Sequence, residues 1–419
     1  MVIVNPAAGT GSIVKREQGR PMIAERYTDY MYDLIDKVMK TIGPRESCSE
    51  EEKRLGRLFS DEIKPCCDRV EAETFTCSPT AFVGFFPFLV LMYVAAVVLF
   101  FFIPPISCLI AVVAFAVIIA EVVRYKELID PVWPKRDGEN VLGFIEPRKE
   151  AARRVYVSAH LDSAYEFKIW YWFKGASAAV MGAGAFVLLL LFGFGLAAGI
   201  ARPVGLPSST VFWVFGFILV GLTPLIGLFA FFHTSDVVPG AMDDMAGIAV
   251  LAGLGRYFRD AKQSEGFYPE TTEVVLLALS SEEAGLRGAK RFAARHKGDA
   301  LPSSGIFLDG IYDEEFFTVF EKELWPGAVM DPGLVSVARK AAQNAGFELE
   351  VGNLPLGATD ASAFALEGMP SVSLCLSETK RLVPHYHTRL DTIDNIKPHS
   401  LAVALQSMIE MLRLIDEAS

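Results

Sequence analysis

The chain has 419 residues, is 52% hydrophobic and 21% charged, and carries a formal net charge of -11. That length exceeds one compact domain of ordinary size, and the acidic balance excludes nucleic acid as the main partner, because phosphate backbones are held by concentrated lysine and arginine. Mean hydropathy is positive, and the apolar excess lies in a few unbroken blocks, which excludes an ordinary soluble enzyme.

Residues 1–25 read as a flexible tail. They lack the basic start and long apolar run of a secretory signal, and the glycine-rich stretch 7–12 has no following Lys-Ser/Thr to make a phosphate loop. Residues 26–80 open a globular domain, with helices over 27–39 and 50–63 and a strand over 71–77. Two apolar blocks follow, 81–103 and 106–123, around the turn at Pro104-Pro105, so residues 81–123 form a first transmembrane hairpin. Residues 124–174 return to the domain with a strand over 154–158. Residues 175–233 form a second hairpin from blocks 176–200 and 210–232. Residues 234–419 complete the domain, with a strand over 273–279 and helices over 245–258 and 286–296. The alternation of strands and helices predicts an α/β sheet covered on both faces. About 20 apolar residues in each of four blocks are enough to span a bilayer, which makes the chain a multi-pass membrane protein with a lipid partner.

Basic residues near the spans set the orientation. Lys64, Arg69, Arg124, Lys126, Lys135, Arg136, Lys168 and Lys174 flank the side that carries both termini, whereas only Arg202 lies opposite. By the positive-inside bias the globular domain is cytoplasmic. The six cysteines include no CxxC pair, so neither a zinc knuckle nor a disulfide framework is expected.

Acids and histidines recur at predicted strand ends, where open α/β sheets build their sites. His160 and Asp162 flank Leu161 in VSAHLDS, and strand alternation turns both to one side, a candidate ligand beside an orienting carboxylate. Asp243 and Asp244 open a helix after a glycine turn, where a carboxylate is able to bridge two cations. Glu282 and Glu283 are adjacent, so one is free to bind metal while the other handles a proton. Asp309 ends an apolar strand, and His387 precedes Thr388 in PHYHTRLDT. Carboxylates and imidazoles without thiolates suit a catalytic zinc or cobalt site better than a structural one.

In this order, HLD, GAMDD, EE-x-GL-x-GA, LD and YHT-x-x-DT resemble peptidase family M28, which includes bacterial leucyl aminopeptidases. LGATDASAF and IGPRESCSEEEK are similar to its pre-terminal segment and its N-terminal helix pair. The resemblance implies a mixed, mostly parallel sheet sandwiched by helices, to which the two hairpins are additions. It also implies two zinc ions, with cobalt or manganese as substitutes: His160 and Asp309 on one, Glu283 and His387 on the other, and Asp243 bridging. Glu282 would be the general base and Asp162 would orient His160. Asp244 would be a helix-start residue or an acid behind the ligands, and Asp360 a structural or pocket acid. His385 and Tyr386 lie beside a ligand, Tyr386 as an oxyanion donor or a packing residue. His233, His296 and His399 read as interfacial or surface residues. The implied activity is aminopeptidase hydrolysis by a water activated between two metals; because both hairpins return beside the site, hydrophobic or membrane-derived peptides are the expected substrates. A glutaminyl cyclase-like transferase and a silent scaffold are the alternatives, and membrane anchoring is compatible with a homo-oligomer.

Overall fold

The computed structural model describes residues 22–201, 209–232, 234–264 and 266–418. The glycine-rich stretch 7–12, His233 and most of the connection inside the second hairpin lie outside these residues. A turn of helix spans Ile23–Tyr27, and Ala24 is fully buried.

Among the described residues, nine strands form one sheet: β1 (Arg69–Cys77), β2 (Arg136–Ile145), β3 (Arg153–His160), β4 (Thr272–Leu279), β5 (Ser303–Ile311), β6 (Phe317–Glu323), β7 (Ala328–Val329), β8 (Glu350–Leu354) and β9 (Ser371–Leu376). Their order is β1-β2-β4-β3-β5-β9-β6-β7, with β8 paired to β6. The four central strands β4, β3, β5 and β9 run parallel, and antiparallel neighbours β2 and β6 adjoin them. β4 is buried along its whole length, which accounts for a continuous apolar run instead of alternation.

Helices cover both faces. Tyr156 of β3 meets Phe292 and Phe364, on helices Arg287–His296 and Asp360–Leu366, edge to face at 5.2 and 6.0 Å. Val157, the next residue, is level with Leu276 of β4 and so shares its opposite face. There the helix Ala246–Ala261 approaches so closely that a Cβ on its Gly255 would lie 3.2 Å from Leu276. That helix, Thr28–Thr41 and Pro398–Glu417 pack together on this side. Thr28–Thr41 and Glu50–Ile63 reproduce the two helices expected near the start.

Among the described residues, four helices are long and apolar enough to cross a membrane: Ala81–Phe102, Pro104–Val123, Lys168–Ala201 and Thr210–Phe231. The third begins at Lys168, before the expected residue 175, because the aromatic run KIWYWF is already helical ahead of a break at Lys174, where φ is 47°. Small residues let the helices close on one another. Gly195 faces the backbone of Cys108, and Gly199 faces Pro105.

The attachment points of these helices decide what they can do. The first pair joins β1 to β2 at the end where Cys77 pairs with Arg136. β2 runs antiparallel to β4, with Val141 opposite Ala278, so this is also the end where β4 finishes. The second pair leaves after His160, which is level with Leu279 at that same end. Both insertions therefore emerge from the carboxyl end of the parallel strands, where α/β sheets hold ligands.

Candidate metal centre

At the end of β3, His160 is buried, with Nε2 at 3.0 Å from Asp243 Oδ1 and Nδ1 at 3.1 Å from the Asp162 carbonyl and 3.4 Å from Asp162 Oδ1. With Nδ1–H donated to Asp162, Nε2 donates its own proton to Asp243, and release of that proton would give the tautomer a metal ligand needs. His387 Nε2 lies 3.2 Å from the other oxygen of Asp243 and 3.3 Å from Glu283 Oε1. Asp243 is thus shared between two histidines. Ligand atoms of His160, Asp243 and Asp309 lie within 4.8 Å of one another, as do those of Asp243, Glu283 and His387, and a third set joins His160, Glu282 and Glu283.

The loop that presents Asp243 depends on Gly240, whose φ is 66° and where a Cβ would stand 2.4 Å from Ser163 and 2.8 Å from the Asp243 carbonyl. Asp243 and Asp244 are non-helical. The helix begins only at Ala246, so neither acid opens it as the sequence suggested. Asp244 caps it from outside, accepting the Gly247 N–H at 3.2 Å in the manner of an N-cap carboxylate. Its other oxygen accepts the His160 N–H at 3.2 Å.

Asp162 does more than orient His160. Its carboxylate accepts the backbone N–H groups of Glu282 and Glu283, both at 3.0 Å, and the Ser47 hydroxyl at 2.5 Å, so it also fixes the glutamate pair. Three further residues adjoin the site, two of them inside motifs quoted above, Asp391 in YHT-x-x-DT and Arg45 in IGPRESCSEEEK. Asp391 accepts the N–H groups of Met242 and Asp243 at 2.8 and 3.3 Å. Arg45, fully buried, donates to the carbonyls of Leu161, Pro239 and Gly240 at 2.8–2.9 Å and so ties the His160 and Asp243 loops together. Tyr125 lines the cavity beside Glu282 and stacks on Phe82 at 5.1 Å. Arg45→Met would leave those carbonyls without donors, at about 1–3 kcal/mol each; a clear fall in Tm is the expected result of a melting experiment.

Burial pushes Glu282, Glu283, Asp244 and Asp360 well above the usual carboxylate range and Asp309 up to about 7, and neighbouring carboxylates push the same way. Burial would raise Asp243 too, but hydrogen bonds from His160 and His387 outweigh it and hold this carboxyl low. So many acids in so little space need compensating positive charge. Glu283 Oε1 is buried without a hydrogen-bond donor. An orphaned oxygen in a nest of oxygen and nitrogen donors fits divalent cations.

Asp360 begins its helix with Oδ1 likewise unpartnered. Tyr386 stacks on His387 at 4.0 Å and lines the cavity. His385 does not share that wall; it packs edge-on against Tyr312 at 4.8 Å. The entrance to the third apolar helix covers His387. Phe167 lies 4.7 Å from its ring and donates its N–H to the His387 carbonyl at 3.0 Å. Glu166 accepts Arg389 Nε and Nη2 at 2.7 Å and the Lys168 ammonium, and the Arg389 contact holds its carboxyl low, at about 2.

Deeper in the domain, Glu323 is fully buried and accepts from Thr359 N, Thr359 Oγ1 and Ser362 Oγ. Burial outweighs these donors and raises its carboxyl from 4.5 to about 7. A raised acid binds its proton more tightly folded than unfolded. Its contribution is therefore complete below pH 4.5 and is lost as pH climbs through 7, on the order of 3 kcal/mol. Melting curves of Glu323→Gln should be flatter than wild type across that interval.

Comparison with known proteins gives the centre its relatives. Residues 225–412 match peptidase family M28. The resemblance read from the motifs holds over this stretch. The M28 match takes in Asp243, Glu282, Glu283, Asp309 and His387, whereas His160 and Asp162 lie upstream of it. Among solved structures, the chain is similar to a glutaminyl cyclase from an Acidobacteriales bacterium, at 15% identity and TM-score 0.56 over 98% of this chain and 100% of that one. A leucine aminopeptidase precursor from Bacteroides thetaiotaomicron aligns at 14% identity and TM-score 0.53, covering 92% of this chain and 96% of its own. A zinc aminopeptidase from Bacillus subtilis aligns at 15% and 0.53, covering 93% and 95%. These likenesses show the fold. No functionally curated protein matches the chain.

Proposed function

We propose that this chain is a membrane-embedded metallo-aminopeptidase of the M28 type, with its catalytic domain on the cytoplasmic side. The observation that carries the reading is the pair of ligand sets meeting at Asp243. His160 and Asp309 would hold one divalent cation and Glu283 and His387 the other, with Asp243 between them. Two zinc ions there would supply Lewis-acid activation of a water and of the scissile carbonyl.

The chain's own residues supply the rest. Glu282, buried and raised by burial and by its acidic neighbours, accepts the proton of the attacking water and returns it to the departing amine, for which a pKa near the working pH is the useful one. Asp162 holds His160 and both glutamate N–H groups, so base and ligands keep one geometry. Tyr386, which lines the cavity beside His387, would donate to developing oxyanion charge. The carboxylates not engaged with metal would receive a free substrate amine. Hydrophobic or membrane-derived peptides are the expected substrates, because the same cavity that exposes Asp243, Glu282, Glu283 and Asp309 is walled by the apolar helices.

The test is metal content of the purified protein together with release of amino acids from matched free and N-acetylated peptides. About two zinc equivalents and turnover only of free amines would support the reading. Cyclase-like neighbours favour one alternative, a glutaminyl cyclase-like transferase. One equivalent, with cyclisation of N-terminal glutamine, would move the assignment there. Neither metal nor turnover would leave a scaffold.

A further inference from the structure

The cavity at the metal centre measures about 680 Å³. That is the size of a site for a whole drug-sized ligand, about 300–1,000 Å³, and more than one amino-acid side chain requires. Its polar end is formed by the metal centre and the loops around residues 355–359 and 377–383. Its other end enters the apolar helices, between Leu89 and Val90 of the first, Phe115 and Ile118 of the second, and Met181 and Leu188 of the third. Apart from Trp170 beside His387, every residue these helices contribute to the wall is apolar.

Three occupants are conceivable for this apolar shaft, and the wall discriminates among them. An extended peptide would bring an N–H and a carbonyl per residue into a space with no partner for either, at several kcal/mol for each group. A transmembrane helix satisfies its own backbone but is about 10 Å across, and would exhaust the volume within roughly 9 Å, some six residues. A hydrocarbon chain has no polar group to satisfy and is narrow enough for the space. Gly195 and Gly199 close the third helix onto the second at the far end, whereas nearer the metal centre Ala178 and Ala185 line the cavity with accessible, short side chains.

We infer that the shaft takes a single long hydrocarbon chain of the substrate, so that the hydrolysed amide belongs to a lipid-conjugated amino acid or peptide. This rests on the hydrolytic reading of the metal centre and narrows its substrate class.

The experiment uses the full chain in lipid nanodiscs and two series of amides with a free amine. One is leucine n-alkylamides from ethyl to dodecyl; the other is amides whose N-terminal residue carries a 2-aminoalkanoyl chain of the same lengths. In one series kcat/KM should rise about threefold or more per methylene, then level off once the shaft is full. Ala185→Trp, which fills the shaft, should collapse the dodecyl-to-ethyl ratio toward one, and Leu189→Trp, on the outer surface of the same helix, should preserve it. Turnover of short amides with no gain in either series overturns the inference and leaves the hydrolytic reading standing. If no amide is hydrolysed, that reading fails instead, and the shaft is judged by binding of dodecylamine through quenching of tryptophan fluorescence: saturable binding weakened by Ala185→Trp upholds it, and none refutes it.

Discussion

Glu282→Gln is expected to lower kcat by about 10²–10⁴-fold, the usual contribution of a positioned general base, while zinc content stays at the wild-type level. The amide keeps the volume and one oxygen of the carboxylate but cannot take a proton at the pH of the assay. Metal content is the decisive half of this experiment, because the geometry also places Glu282 within 4.8 Å of His160 and Glu283 as a ligand set. Loss of one equivalent with the activity would make Glu282 a ligand and pass the role of base to another acid. Retained metal with lost turnover separates the adjacent glutamates into proton carrier and ligand. The measurements are elemental analysis and single-turnover kinetics on the same preparation.

Asp243→Asn is expected to have the larger consequence for the metals. Asp243 stands close to both histidines, at 3.0 Å from His160 and 3.2 Å from His387, so its negative charge would be the shared support of both proposed cations. The asparagine offers one neutral oxygen in its place. Zinc should fall from two equivalents to near none, and activity to background. The surrounding carboxylates would then lose their compensating charge, which should also lower Tm at neutral pH more than at pH 5, where burial-raised acids hold protons. A variant retaining one firmly bound zinc would show that the two positions are independent and that Asp243 does not bridge them.

The chemistry of this centre was legible because it is written in short local patterns. His160 with Asp162, the Asp243-Asp244 pair, Glu282-Glu283, Asp309 and His387 each stand at the end of an element whose apolar run or turn is visible in sequence, and the fold gathers all five segments. The assignment of exact roles depended on the family resemblance, because adjacent acids such as Glu282 and Glu283 are equivalent to any local rule. Boundaries slipped where two influences competed. KIWYWF is aromatic enough to lie at a membrane edge yet helical enough to extend the third apolar helix back to Lys168. Asp244 has the composition of a helix start, but the path around Gly240 delays the helix to Ala246 and leaves its carboxylate to cap from outside. His385 looked like a neighbour of the centre by numbering, and it packs instead against Tyr312.

By itself the sequence determined the four apolar helices, the α/β alternation and the inventory of acids and histidines, since span length, periodicity and residue chemistry are properties of one segment at a time. Tertiary structure alone decided which distant groups hold the centre in place. Arg45 binds carbonyls almost two hundred positions away at Pro239 and Gly240, Asp391 clamps the Asp243 loop, and Asp162 gathers Ser47 with both glutamates. It also decided that both hairpins leave from the carboxyl end of the parallel strands, so that one cavity joins the acids to the apolar helices. The physical reason is that hydrogen-bond partners and cavity walls are set by strand order and register, which bring together residues that no local pattern links.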